Sequence, residues 1–163
     1  MIHLNIGAGT MPLPDHINCD SQPYPGIDRV FRCPPIPFED GEVESIYAGH
    51  FLEHLPPQDT APFLAECRRV LRVGGSLTLV VPDAEKARLL LESKRLIADH
   101  FAPIVMGDRH DDMPHRTIWR RAWLEDALMG AGFELDAEYR WKDDPRVFDT
   151  APIWQAGARG VRR

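Results

Sequence analysis

The sequence predicts an α/β sandwich on a mostly parallel sheet, and three observations predict it. Short apolar runs alternate with segments of helical period over most of the chain. The first run breaks straight into the turn Gly7-Ala8-Gly9. Two further runs, Phe133 to Trp141 and Pro152 to Ala158, then close the chain with no helical segment between them. Strand–helix alternation followed by a final strand pair is the pattern of a parallel sheet that ends in an antiparallel hairpin.

The elements follow in order. Ile2 to Ile6 reads as a buried strand. Ile17 to Cys19 is a short second strand with Asp20 at its end. Asp28 to Phe31 is a third, followed by the proline-rich Cys33-Pro34-Pro35-Ile36-Pro37-Phe38. Glu39-Asp40-Gly41 is a turn, and Val43 to Ala48 is the fourth strand, closed by Gly49. From Gln58 to Arg72, residues Phe63, Leu64, Cys67, Val70 and Leu71 recur on one face at helical spacing. Arg68, Arg69 and Arg72 suit the negative end of that helix, and Val73-Gly74-Gly75 stops it. Ser76 to Val81 is the most hydrophobic strand and belongs at the centre of the sheet. Asp83 is placed to N-cap the helical pattern of Ala84 to Phe101. Met106 to Thr117 is polar and aperiodic, a loop. Arg120 to Ala131 is helical, with Leu124, Ala127 and Leu128 inward and Gly130-Ala131-Gly132 at its end. No repeat or linker divides the chain, so residues 1–163 read as a single domain.

Composition narrows the function. A chain of 163 residues, 44% hydrophobic and 27% charged, has the profile of a soluble domain with a real core. The net charge of −6, with no basic run longer than a pair such as Arg120-Arg121, argues against a bulk nucleic-acid surface. No apolar stretch approaches the roughly 20 residues of a membrane span, and no signal peptide precedes the first strand. Cys19, Cys33 and Cys67 are odd in number and widely spaced, as suits reduced thiols. The expected location is the cytoplasm. Trp119, Trp123, Trp141 and Trp154 read as packing residues.

A strand ending in Gly-x-Gly brings backbone N–H groups close to a ligand, because no Cβ intervenes. An acid at the end of the next strand can accept hydrogen bonds from ribose hydroxyls. Together they point to a nucleoside-containing cofactor at the carboxyl ends of parallel strands. A dinucleotide is excluded. The third glycine of that fingerprint is replaced by Pro12, and no full helix fits between Thr10 and Ile17.

In order and spacing the pieces resemble the class I S-adenosylmethionine-dependent methyltransferases, most closely small methyltransferase-domain proteins of the Leu-Asn-x-Gly-x-Gly type. LNIGAGT (4–10) resembles the first cofactor loop, and INCD (17–20) the ribose-binding acid. IPFEDGEVESIYAGHFLEHL (36–55) resembles the turn, fourth strand and Leu-Glu-His segment. FLAECRRVLRVGGSLTLVVPD (63–83) resembles the following helix, double-glycine turn and fifth strand, and HRTIWRRAWLEDALMGAGFE (115–134) the C-terminal helix. The resemblance implies a Rossmann-like sandwich and S-adenosyl-L-methionine as cofactor. It implies cofactor contacts from Gly7, Ala8, Gly9, Asp20, Gly49 and His50. Where members carry an acid that meets the adenine amine, this chain has Arg32-Cys33, which leaves adenine to the backbone near Cys33 and to Ile36. The N-terminal helices of the family are cut short, since Thr10 to His16 allows little more than a turn.

The implied reaction is methyl transfer to a small-molecule acceptor, with no membrane partner. His50, His54 and His115 are the candidates for removing the acceptor's proton, being suited to that task near neutral pH. The 106–117 loop is expected to cover the site. Two alternatives stand beside this. One is a non-catalytic cofactor-binding or regulatory module of the same fold. The other is a zinc hydrolase, because His50-Phe51-Leu52-Glu53-His54 matches His-x-x-Glu-His, with His110 or His115 as a third ligand. That signature needs a longer helix than Gly49 and Pro56-Pro57 permit, so no metal ligand is expected.

Overall fold

A computed structural model describes residues 1–93, 106–107, 114–147 and 154–163. Seven strands form one sheet: β1 (Ile2–Ile6), β2 (Ile17–Asp20), β3 (Arg29–Val30), β4 (Val43–Gly49), β5 (Leu71–Pro82), β6 (Phe133–Leu135) and β7 (Gln155–Arg162). Their order across the sheet is β3-β2-β1-β4-β5-β7-β6. The pairs from β3 to β5 are parallel, and β7 is antiparallel to both β5 and β6. Helices α1 (Pro57–Val70), α2 (Ala84–Glu92) and α3 (Arg121–Gly130) complete the frame. No described helix is long and apolar enough to cross a membrane.

Strand alternation divides the sheet into two unlike faces. On one face Leu4, Ile6, Ile46, Ala48, Leu77, Leu79, Val81, Ala156 and Ala158 meet Phe63, Leu64, Cys67 and Val70 of α1 and Leu124 and Leu128 of α3. α1 opens with Pro57 in its first turn, where no N–H bond is lost. Beyond it Arg69 clasps the proline-rich segment. Its guanidinium donates to the carbonyls of Ile36 and Phe38, each at 2.9 Å, while Glu66 accepts from the Ile36 N–H at 2.9 Å. That clasp stands where a helix would otherwise join β3 to β4.

The opposite face is polar, and loops cover it. Asn5 and Asn18, both buried, meet at 2.9 Å. Asn18 accepts from the Leu13 N–H at 2.7 Å and donates to the Leu13 carbonyl at 3.1 Å. Residues 7–16 are thereby pinned as turns, and Leu13 packs with Tyr47, Val80 and Val147. Further along, Asp144 accepts from Arg146 at 2.6 and 2.9 Å, from Tyr139 at 2.9 Å and from Arg159 at 3.4 Å. Thr78 accepts from Arg159 at 3.1 Å.

Some boundaries differ from the sequence pattern. α1 ends at Val70 and β5 starts directly at Leu71, so Val73-Gly74-Gly75 lies within the strand. The pairing of β4 with β5 jumps from Val43–Leu71 to Ser45–Ser76, so the glycines form a bulge, with Gly74 at φ +80°. The alternation from Phe133 to Trp141 yields only three strand residues. Trp141 instead sits in a 3-10 turn (Trp141–Asp143), its side chain over Gly157. β7 runs on to Arg162, past the expected end at Ala158. α2 is described only to Glu92, and the rest of the Ala84–Phe101 pattern through Phe101 lies, after Ser93, outside the described residues.

Candidate active site

The carboxyl ends of β1 and β4 and the upper part of β5 open on a cavity of about 530 Å³. That is within the roughly 300–1,000 Å³ of small-molecule sites, at the edge where open α/β sheets bind ligands. β7 contributes as well. Because it is antiparallel, its first residues lie at the same edge as the last residues of the parallel strands.

Gly7, Ala8 and Gly9 line the cavity. The N–H groups of Gly7 and Ala8 share the Cys19 carbonyl at 2.9 and 3.0 Å, which folds the turn back on β2. Gly7 has φ +71°, and a Cβ there would stand 2.4 Å from the Phe51 ring. Gly9, at φ +52°, has no atom within 4 Å of where a Cβ would stand. The space beside Gly9 is thus open to a ligand. Asp20 does not line the cavity. It accepts from the Gly9 N–H at 2.9 Å and from the Gln22 N–H at 3.0 Å, so its carboxylate orders the glycine turn. A carboxylate has about four acceptor positions, so those two bonds leave capacity for hydroxyls.

Cys33 and Ile36 lie elsewhere. Ile36 is buried in the apolar core and half-buried Cys33 packs against it. Burial pushes the Cys33 and Cys19 thiols up to about 12, so both are neutral and unreactive near neutral pH.

At the end of β4, Gly49 and His50 also line the cavity. A Cβ on Gly49 would stand 2.5 Å from the Tyr47 hydroxyl, so only glycine fits. His50 has φ +54°, a backbone state uncommon for any residue but glycine. Its N–H donates to the Val80 carbonyl at 2.8 Å. Its ring is held at both nitrogens. Nδ1 lies 3.1 Å from Oε1 of Glu53, and Nε2 lies 2.8 Å from Nε2 of Gln155. An amide nitrogen only donates and a carboxylate only accepts. The neutral ring therefore carries its proton on Nδ1, and Nε2 holds the lone pair. Glu53 is 1% exposed, whereas the His50 side chain is 40% exposed. A buried carboxylate thus stands behind a ring that remains accessible from the cavity.

His54 and His115 do not line this cavity. Their rings meet edge to face at 4.9 Å, on the other side of Glu53. Residues 114–117 pack against the turn Leu52–His54 rather than over the cavity. The N–H groups of Arg116 and Thr117 donate to the Glu53 carbonyl at 2.7 and 3.1 Å, and the Thr117 hydroxyl to the Leu52 carbonyl at 3.2 Å. Half of the expected lid, residues 108–113 with His110 among them, lies outside the described residues. Leu52–His54 is a three-residue 3-10 turn, so His50 and His54 do not share a helical face. Asp83 N-caps α2 by accepting from the N–H groups of Glu85 and Lys86 at 3.0 and 3.1 Å.

Tyr47, Val147 and Gln155 line the cavity without having been singled out in the sequence, and Trp154, expected only to pack, lines it as well. For Trp154 and Gln155 a signal existed: the start of an antiparallel last strand must fall at the ligand edge. Tyr47 is one residue removed from the strand-end glycine, a weaker cue.

The methyltransferase-domain family matches residues 23–79, about a third of the chain. No curated protein sequence matches. Among solved structures, an S-adenosylmethionine-dependent methyltransferase from Thermotoga maritima is similar at a TM-score of 0.66 and 17% identity, covering 99% of this chain and 82% of that one. One from Archaeoglobus fulgidus is similar at 0.62 and 14%, covering 98% and 85%. The 1,6-didemethyltoxoflavin-N1-methyltransferase of Burkholderia thailandensis, solved with S-adenosylhomocysteine, is similar at 0.61 and 16%, covering 99% and 70%. The fold is that of the class I methyltransferases.

Proposed function

We propose that this protein, which has the class I methyltransferase fold and the methyltransferase-domain pattern in residues 23–79, transfers a methyl group from S-adenosylmethionine to a small-molecule acceptor. When bound, the cofactor supplies an activated methyl on a sulfonium. The residues present fit it. The bare backbone at Gly9 leaves a cradle that a Cβ would fill, and the cavity has the volume of a small-molecule site. Gly7, Ala8 and Gly9 would hold the cofactor through their backbone, with Asp20, Gly49 and His50 around it.

The observation that carries the reading is the His50 arrangement. Nε2 of His50 carries the lone pair, which accepts from the Gln155 amide at rest and takes the acceptor's proton when that amide gives way. Glu53, behind Nδ1, stabilises the imidazolium that forms, as a carboxylate behind a general-base histidine does. Gln155 accommodates both states, since a half-turn of its amide replaces a donor with an acceptor toward Nε2. Trp154, with its ring 5.8 Å from that of His50, and Val147 supply an apolar wall. Charge moves off the acceptor during transfer, and an apolar wall that excludes water strengthens the electrostatic support for it. His54 and His115 lie outside the cavity and take no part. A complete base with its carboxylate gives the non-catalytic reading no particular support.

Calorimetric titration with S-adenosylhomocysteine tests the reading. One site per chain is expected, with His50→Ala leaving the affinity within about threefold because a proton acceptor contributes mainly to chemistry. Release of S-adenosylhomocysteine from S-adenosylmethionine in a screen of small hydroxyl and amine acceptors should depend on His50. Absence of binding at millimolar ligand overturns the proposal.

A further inference from the structure

Glu53, whose Oε1 backs His50, also forms a cluster with His54 and His115, two histidines that the reaction leaves unused. One carboxylate oxygen of Glu53 and one ring nitrogen of each histidine lie within 4.8 Å of one another. We propose that these three side chains bind a divalent transition-metal ion, with Zn²⁺ the first occupant to test. The site is distinct from the His-x-x-Glu-His reading, and it runs against the sequence-based expectation of no metal ligand. His50 is not part of it, because Glu53 and Gln155 occupy both its nitrogens.

Four observations converge. The donor set comes first: two imidazoles and a carboxylate suit Zn²⁺ and leave a position for water. The second is Glu53 itself. Oε1 meets His50, but Oε2 is buried with no hydrogen-bond partner among the described residues. A buried carboxylate oxygen left without a partner is costly, and a cation would satisfy it. Third, a small cavity of about 10 Å³ lies beside Glu53 and His115, two of the three side chains, with Thr117 and Trp119 on its wall and His54 outside it. That is room for about one water-sized sphere and for no organic ligand.

The fourth is pre-organisation. Glu53 and His54 are adjacent on one turn, and the segment bearing His115 is tied to that turn by the bonds from Arg116 and Thr117. The His54 Nδ1 lies 3.4 Å from the Pro114 carbonyl. A carbonyl only accepts, so the proton sits on Nδ1 and the lone pair on Nε2, the arrangement of a histidine ligand braced by its second nitrogen. Ligand atoms about 2.0–2.2 Å from zinc stand roughly 3.3–3.5 Å apart in a tetrahedron. Closing from 4.8 Å takes modest rotations of two half-buried imidazoles. A bound ion would also fix the carboxylate that orients His50 and anchor the 114–117 segment.

The test uses the full chain after treatment with a chelator and needs no cofactor, so its outcome is independent of the methyltransferase reading. Competition against a chromophoric zinc chelator should give one ion per chain at submicromolar affinity. Co²⁺ should give the visible d–d absorption of a four- or five-coordinate site. His54→Ala and His115→Ala should each weaken binding by at least about tenfold. His3→Ala should leave it unchanged, since His3 and His16 form a separate surface pair. Melting curves check that each variant is folded, and His54→Gln carries the test if His115→Ala is not. Affinity weaker than about 10 μM, or binding that survives both alanine variants, overturns the proposal.

Discussion

The two faces of the sheet solve the same problem with different chemistry. On the face of α1 and α3, apolar side chains from every central strand meet two helices, and the core is continuous. On the other face a four-member apolar group (Leu13, Tyr47, Val80 and Val147) lies between an asparagine pair and an aspartate–arginine network. The first face buries little that is polar among the described residues, the Thr60 hydroxyl of α1 being an exception. The second buries Asn5, Asn18, Thr78 and Asp144, each needing a partner of the right geometry. The difference teaches what happens when short loops replace crossover helices. A loop cannot satisfy its own backbone as a helix does, so side chains from the sheet must do it. Asn18 does this for Leu13, and Asp144 does it for Arg146, whose N–H it accepts at 3.0 Å.

The sharpest test of the comparison is one truncation on each face. Phe63→Ala removes a fully buried ring that packs against Phe51 at 5.1 Å. It should cost about 3–5 kcal/mol, the usual result of emptying a well-packed aromatic site. Asp144→Ala should cost nearly as much, about 2–4 kcal/mol, by a different route. It leaves Arg146 without its anion, Arg159 with only Asp136 of its two carboxylates, and the Tyr139 hydroxyl without its acceptor. Urea denaturation measures both. If Asp144→Ala falls within a few tenths of wild type, the polar face is decoration and the comparison fails.

Acid should separate the faces further. Burial pushes the Asp144 carboxyl up, but the hydrogen bonds and charge of Arg146, with help from Tyr139, outweigh it and hold the group at about 2. The unfolded chain, with an ordinary aspartate near about 3.9, takes up the proton first as pH falls. The ionised network therefore stabilises the fold above about pH 4, and that contribution is lost as pH falls toward about 2, amounting to about 1–2 kcal/mol. Melting temperatures between pH 5 and 2 should fall more steeply for wild type than for Asp144→Asn. Equal slopes would show that other carboxylates dominate acid unfolding.

The same contrast explains what the sequence disclosed. The helical period of Phe63, Leu64, Cys67 and Val70 and the runs Ile2–Ile6 and Ser76–Val81 are legible, because burial on one face imposes a repeat. Lys142-Asp143-Asp144-Pro145-Arg146 carries no repeat of this kind. Nothing local says that Asp144 faces Arg159, fifteen residues on. The candidate site divides in the same way. Gly7, Ala8, Gly9, Gly49 and His50 are marked by strand-end glycines that the chain itself displays. Gln155 is linked to His50 only through the pairing of β7 with β5, across 105 positions of sequence. The grouping of His54 with His115 likewise depends on hydrogen bonds between the 114–117 segment and a turn sixty residues earlier.

The smallest expected effect on stability falls on the loop that joins the two stories. Gly9 belongs to the segment that replaces a helix on the polar face, and it also borders the cavity. Its φ of +52° makes alanine strained, at a cost of about 1 kcal/mol, yet the added methyl meets no atom within 4 Å. Gly7 is different, since a methyl there collides with Phe51. Gly9→Ala should therefore lower the melting temperature by only a few degrees, about 2–4 °C for a chain of this size. It should weaken S-adenosylhomocysteine binding at least about tenfold, because the methyl takes up space that the bare backbone leaves for the ligand. The comparison of the two losses decides the glycine's role. A loss of affinity larger than the loss of stability makes the turn a ligand surface. Equal losses would make Gly9 no more than a residue chosen for its backbone angle, and the cradle would have to lie elsewhere along the same edge.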